Sequence, residues 1–269
     1  MGGTGTVRAF LKGGADLVDS LPSSLGDLVR VNHPGVSVEI VYEPCPRSDL
    51  FLQQMEGSPF PEELREQGLD GVPFVAAQFL EPRFPQELDV VVLSIEPEVS
   101  QVLWKHRERG YLFCPPPGWE GEWSSGRKLW LEETFCPLGR IEVEQFKENF
   151  TTLIRTVKRR WSAHVIVYNG STFDPEDRTC NYRDIQETVA LRIHKLNRAL
   201  MEISVLEGIS IVDVDRLIAE LGAERHVVGA LRYSAEGHRT ICKEFLRILE
   251  EIGFFENRPL VMQVGHREN

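Results

Sequence analysis

The chain has 269 residues, a hydrophobic fraction of 42% and a formal net charge of −11. That apolar content can bury a sizeable core and excludes global disorder, while the acidic balance argues against nucleic acid or an anionic membrane surface as the main partner. No run of about 18 apolar residues offers a membrane-spanning helix. The start, MGGTGTVRAF, lacks the basic and apolar regions of a secretory leader. The five cysteines are odd in number, widely spaced and without a CxxC pair, so a cytoplasmic protein with reduced thiols and no structural zinc is expected.

In chain order, VRAFLKG (Val7–Gly13) predicts a buried strand, followed by a Gly-Gly turn and a helix over Ala15–Val29 that Pro22 and Gly26 interrupt. HPG is a turn, and VSVEIVYEP (Val36–Pro44) alternates as a second strand. SDLFLQQM and PEELREQ predict short helices, and GVPFVAAQFLEPRF has no clear period. ELDVVVLSIEPEV (Glu87–Val99) holds the continuous apolar run of a parallel strand. Residues 100–140, with CPPPGWEGEW and Trp119, Trp123 and Trp130, read as a long insertion that either covers a ligand or pins itself to the body of the domain.

Glu142–Trp161 predicts a helix ending in the basic KRRW, and AHVIVYN (Ala163–Asn169) a further parallel strand. GSTFDPEDRTCNY reads as a loop, Tyr182–Leu206 as a long helix closed by Gly208, and ISIVDVDRLIAELG as a strand and helix. Ser234 caps the closing helix, and residues 256–269 read as a tail. Strands alternating with helices predict a three-layer α/β/α sandwich around a flavodoxin-like parallel sheet of about five strands. The even spread of strands, with no linker-like shift in composition, favours a single domain over 1–269.

The carboxyl ends of such strands gather polar side chains where open α/β sheets bind ligands. These are Lys12, Gly14, Ala15 and Asp16 after the first strand, Glu96 and Glu98 after the third, Asn169 and Ser171 after the fourth, and Arg232 and Ser234 before the last helix. This mixed edge would suit a small polar molecule carrying both charges, or be a self-satisfied network of ion pairs. No acidic calcium loop or HxxE-type pair is present, so neither metal nor other cofactor is expected.

The order of blocks, the strand-turn-helix start, ELDVVVLSIEPE, LNRALMEISVLEGISIVDVDRL and RYSAEGHRTICKEFLRIL together resemble the SGNH/GDSL hydrolase superfamily. The resemblance implies a serine nucleophile after the first strand, an Asp and a His before the last helix, Gly and Asn oxyanion donors, and an acyl ester as substrate. In this chain the nucleophile falls near Ala15, the Asn near Glu98, the His on Arg232 and the Asp on Gly229. Ser20, in Val-Asp-Ser-Leu, and His238 are the substitute catalytic candidates, with Ser171 a second serine at a strand end. Two functions follow: an ester or acyl hydrolase, or acyl-transfer relative, with a rebuilt site; or a catalytically lapsed hydrolase fold acting as a binding or interaction protein.

Overall fold

Val90, Val91, Val92 and Leu93 are all buried, alternate residues facing opposite layers of the core, as a strand covered on both faces requires. This strand, β3 (Val90–Ser94), lies at the centre of a parallel sheet with β1 (Gly5–Gly13), β2 (Val36–Pro44), β4 (His164–Tyr168) and β5 (Ser210–Val212). The order is β2-β1-β3-β4-β5, the flavodoxin-like arrangement. These facts come from a computed structural model of the chain, which describes residues 5–21, 24–44, 47–176, 179–182 and 185–255.

Helices cover both faces. On one, Phe10, Val91, Leu93, Val165 and Val167 meet Phe146, Phe150 and Leu153 of α5 (Val143–Trp161) and Ile193, Leu196 and Leu200 of α6 (Val189–Glu207). On the other, Ala9, Leu11, Val92, Ile166 and Tyr168 meet helices α1 (Ala15–Ser20), α2 (Leu25–Asn32), α7 (Val214–Leu221) and α8 (Ala235–Glu251). Two shorter helices, α3 (Ser48–Glu56) and α4 (Glu96–Ser100), follow β2 and β3. The chain is therefore a three-layer α/β/α fold. Among the described residues no helix is long and apolar enough to cross a membrane.

The helix ends follow their sequence signals. Thr188 caps α6 by accepting from Leu191 N–H at 3.1 Å, and Gly208 ends it in the left-handed conformation. Ser234 caps α8 through Gly237 N–H at 3.2 Å. The basic end of α5 is anchored by Lys158 Nζ, which donates to the Glu207 carbonyl and, at 3.0 Å, to that of Gly208.

Three predicted elements differ from the structure. The helix over Ala15–Val29 is two helices, stopping at Ser20 and resuming at Leu25 around the sequence that holds Pro22, which cannot supply a backbone donor. The stretch before α6 is partly a hairpin, Thr179–Tyr182 against Ile185–Thr188, so α6 starts at Val189 and not at Tyr182. The 100–140 insertion has its own antiparallel sheet, Leu103–His106 flanked by Leu112–Phe113 and Phe135–Gly139. Trp123 packs with Phe113, Leu131 and Phe135 in a separate apolar cluster against Leu64 and Phe79. The predicted tail, 256–269, lies outside the described residues.

One tertiary tie fixes the chain after β4. The Asn197 side chain accepts from Gly170 N–H at 3.1 Å and donates to the Gly170 carbonyl at 2.7 Å. Gly170 needs to be glycine, because a Cβ there would run into the methyl of buried Leu231. Replacing Asn197 with Leu leaves a buried donor and acceptor unpaired, and urea unfolding is expected to give a loss of about 3 kcal/mol. A loss below about 1 kcal/mol would mean that the tie is not needed.

Candidate functional site

In the order β2-β1-β3 the chain reverses direction across the sheet between β1 and β3, and a crevice opens at their carboxyl ends. The register pairs Lys12 with Leu93, which sets Ser94 beside the turn after β1. Gly14 N–H donates to Ser94 Oγ at 3.4 Å, and that hydroxyl donates to Asp16 Oδ1 at 3.1 Å. Asp16 is buried, and burial, followed by the neighbouring Glu96, pushes its carboxyl up to about 7.

Glu96 opens α4 and turns back over the first turn: a Cβ on Gly14 would collide with its carboxylate. Burial raises its pKa, while a hydrogen bond from Ser100 and the charge of Arg232 lower it. Behind them Tyr233 Oη accepts from Ser171 N–H at 3.1 Å. Burial drives the phenol upward, and Asp16 and Glu96 add to that shift. Gly14, Asp16, Ser94, Glu96 and Arg232 thus gather at one edge, backed by Ser171 and Tyr233.

Two clefts meet at Glu96, Ser100 and Arg232. The larger, about 800 Å³, is walled by Trp104, Pro116 and Trp119 of the insertion. The other, about 620 Å³, is walled by Val189 and Leu231. Trp119, Trp123 and Trp130 all belong to the insertion's cluster, and Trp119 also lines the larger cleft, its ring 5.4 Å from that of Trp123 and 5.9 Å from that of Trp104, to which it is nearly perpendicular. A further cleft of about 690 Å³, lined by Arg47, Asp49 and Gln53, shares Arg140 with the second but nothing with the first.

Other sequence candidates are engaged elsewhere. Lys12 is buried, bonds Glu43 at 3.1 Å and lies over the Phe51 ring. Glu98 is buried on the far side of α4, where Oε1 accepts from Ser48 N–H at 2.7 Å. Glu98 is thereby turned away from the strand-end edge, which its neighbour two positions earlier, Glu96, faces instead. Asn169 bridges Asp213, at 2.8 Å, and Asp215 N–H, at 3.2 Å, tying two loops together. Ser171 uses its hydroxyl to accept from Phe173 N–H at 3.3 Å, and Ser234 uses its own as a helix cap and as a partner of His226 at 2.8 Å.

Neither catalytic substitute is set up for attack. Ser20 is fully buried and its hydroxyl donates to the carbonyls of Asp16, at 2.7 Å, and Leu17, at 3.2 Å. His238 is held edge-on to Tyr233, with ring centroids 5.9 Å apart, and burial lowers its pKa. Both lie between α1 and α8, and neither lines the two clefts at the edge. Cys114 is buried with its thiol pushed up to about 12, which leaves it inert at neutral pH. Among the described residues no three His, Cys, Asp or Glu side chains gather as metal ligands. Sequence reasoning missed Ser94, Tyr233 and Trp104. The signal for Ser94 was its place at the end of the apolar run, once β1 and β3 are set side by side.

No family model matches the chain, and no curated protein is similar to it in sequence. Among solved structures it is similar to Axe2, an acetylxylan esterase from Geobacillus stearothermophilus, at TM-score 0.50 and 11% identity over 97% of this chain and 99% of that one. It is also similar to a member of the lipolytic protein G-D-S-L family from Veillonella parvula, at TM-score 0.50 and 9% identity over 91% and 98%. At such identities the likeness is one of fold, and the fold is SGNH hydrolase-like.

The raised Asp16 pKa has a stability consequence with a definite sign. An unfolded aspartate titrates near 4, so between about pH 4 and about pH 7 the folded state holds the extra proton. Stability therefore falls as pH rises through this window and is level above it. Asp16→Asn is expected to flatten that slope and to add on the order of 2–4 kcal/mol at pH 8 relative to pH 5. Urea unfolding at the two pH values measures this, and an unchanged slope would show that Asp16 is ionised throughout. Glu98, pushed up to about 8 by burial, acts with the same sign.

Proposed function

We propose that this SGNH hydrolase-like fold is a catalytically lapsed one, a binding protein that takes a small polar molecule at the Glu96–Arg232 edge and does not hydrolyse esters through a serine. The observation that carries this is the Glu96 carboxylate lying over Gly14, beside Ala15. The family resemblance puts the nucleophile and the oxyanion donors at this turn. An oxyanion forming about 4 Å from a carboxylate, at an effective dielectric of about 20, is disfavoured by about 4 kcal/mol, roughly a thousandfold in rate. Gly14 N–H is also turned to Ser94. Positions that would hold a base and its orienting acid carry Arg232 and Gly229.

A rebuilt hydrolase is the second reading, favoured by Asp16, whose pKa near 7 suits general acid–base work. Asp16 is nevertheless buried behind Ser94.

Both readings meet in one assay. The wild type is expected to show no turnover of p-nitrophenyl acetate above buffer and no labelling by a fluorophosphonate. Ala15→Ser alone is expected to stay silent, since it restores a hydroxyl without a base. Turnover abolished by Ser20→Ala, His238→Ala or Asp16→Asn would overturn the lapsed-site proposal in favour of a rebuilt hydrolase.

A further inference from the structure

The larger cleft joins two features that favour one kind of ligand. Its outer wall is a corner of two indoles, Trp104 and Trp119, set at 89° and both part-exposed. Both rings also pack on the insertion's apolar cluster, and the parts of them that line the cleft offer indole surface, whose faces attract cations. The inner wall carries Glu96, the rim carries Glu120, and Asp16 lies behind the turn that Glu96 covers. Arg232 is the cation lining this cleft. With Glu96 and Glu120 ionised and Arg232 protonated, the lining carries one net negative charge.

Resting on the proposal that the site binds and does not hydrolyse, we infer that this cleft takes a small organic cation, a methylated or primary ammonium group. The charged head sits between Glu96 and the Trp104–Trp119 corner. The indoles supply cation–π contact and exclude water, and Glu96 supplies the counter-charge on the side the rings do not cover. A hydrated inorganic cation gains little from indoles, and a neutral ring gains little from Glu96, so the combination selects a charge on an apolar body. Arg232 opposes the same charge. It therefore limits affinity, and its removal is predicted to strengthen binding, an effect that general damage to the fold would not produce.

The test uses intrinsic tryptophan fluorescence and calorimetry on the full chain with choline and benzyltrimethylammonium as probes. 3,3-Dimethylbutanol serves as the uncharged isostere of choline, and benzoate as the anion. The expected result is saturable binding of both cations, about tenfold weaker binding of the isostere, and none of benzoate. Trp119→Leu and Glu96→Gln should each weaken choline by about tenfold, and Arg232→Gln should tighten it severalfold. Equal binding of choline and its isostere, preference for benzoate, no binding by either cation, or loosening in Arg232→Gln would overturn the inference. Ester turnover is read separately. Turnover with cation binding would sink the lapsed-site proposal and leave this inference standing, whereas silence in both assays would do the reverse.

Discussion

The close approach of Glu96 to the main chain at Gly14 governs the strand-end edge. It requires glycine at that position, since any Cβ would meet the carboxylate. It places a second acid beside Asp16, so that the two carboxyls do not ionise independently. Arg232 then answers the resulting charge from the approach to α8. The groups that α/β hydrolytic chemistry needs at such an edge are a nucleophile, neutral donors and a base. This edge holds two acids, a serine hydroxyl hydrogen-bonded between Gly14 and Asp16, and a guanidinium.

Much of the architecture was legible in the sequence because buried parallel strands leave a strong signature. VVVL and HVIVY can be covered on both faces only in a helix-flanked sheet, and the helices of nineteen residues, Val143–Trp161 and Val189–Glu207, carry clear apolar stripes. The hairpin before α6 was not legible, since Thr179–Tyr182 and Ile185–Thr188 are short and polar. The small sheet of the insertion was hidden for a similar reason. Its strands are two to five residues long and are separated in sequence by prolines, a tryptophan-rich turn and a helix.

The site was legible as a location but not as a set of partners. Gly14, Asp16, Glu96 and Arg232 gather as the strand ends predicted. Lys12, Glu98 and Asn169 do not, although they come from the same strand ends. A strand shows alternate side chains to opposite layers, so Lys12 points to the α3 side, over Phe51, whereas Asp16, in the first turn of α1, meets Ser94. For Glu98 the cause is the start of α4, which carries a residue two positions further round the helix toward Ser48. Ser20 had the right letters around it but lies a full turn into its helix, where a hydroxyl most readily bonds back to its own carbonyls.

Leu231 adopts a left-handed backbone with φ of 56°, a conformation that is costly for a branched side chain. Its side chain is wedged over Gly170, which α6 grips through Asn197. The next residue along is Arg232. The guanidinium at the cleft is therefore one residue from a contact that α6 holds in place. A bulkier side chain at Ile193 or Ile95, which border Gly170, would press on this same contact, although neither residue lines the cleft.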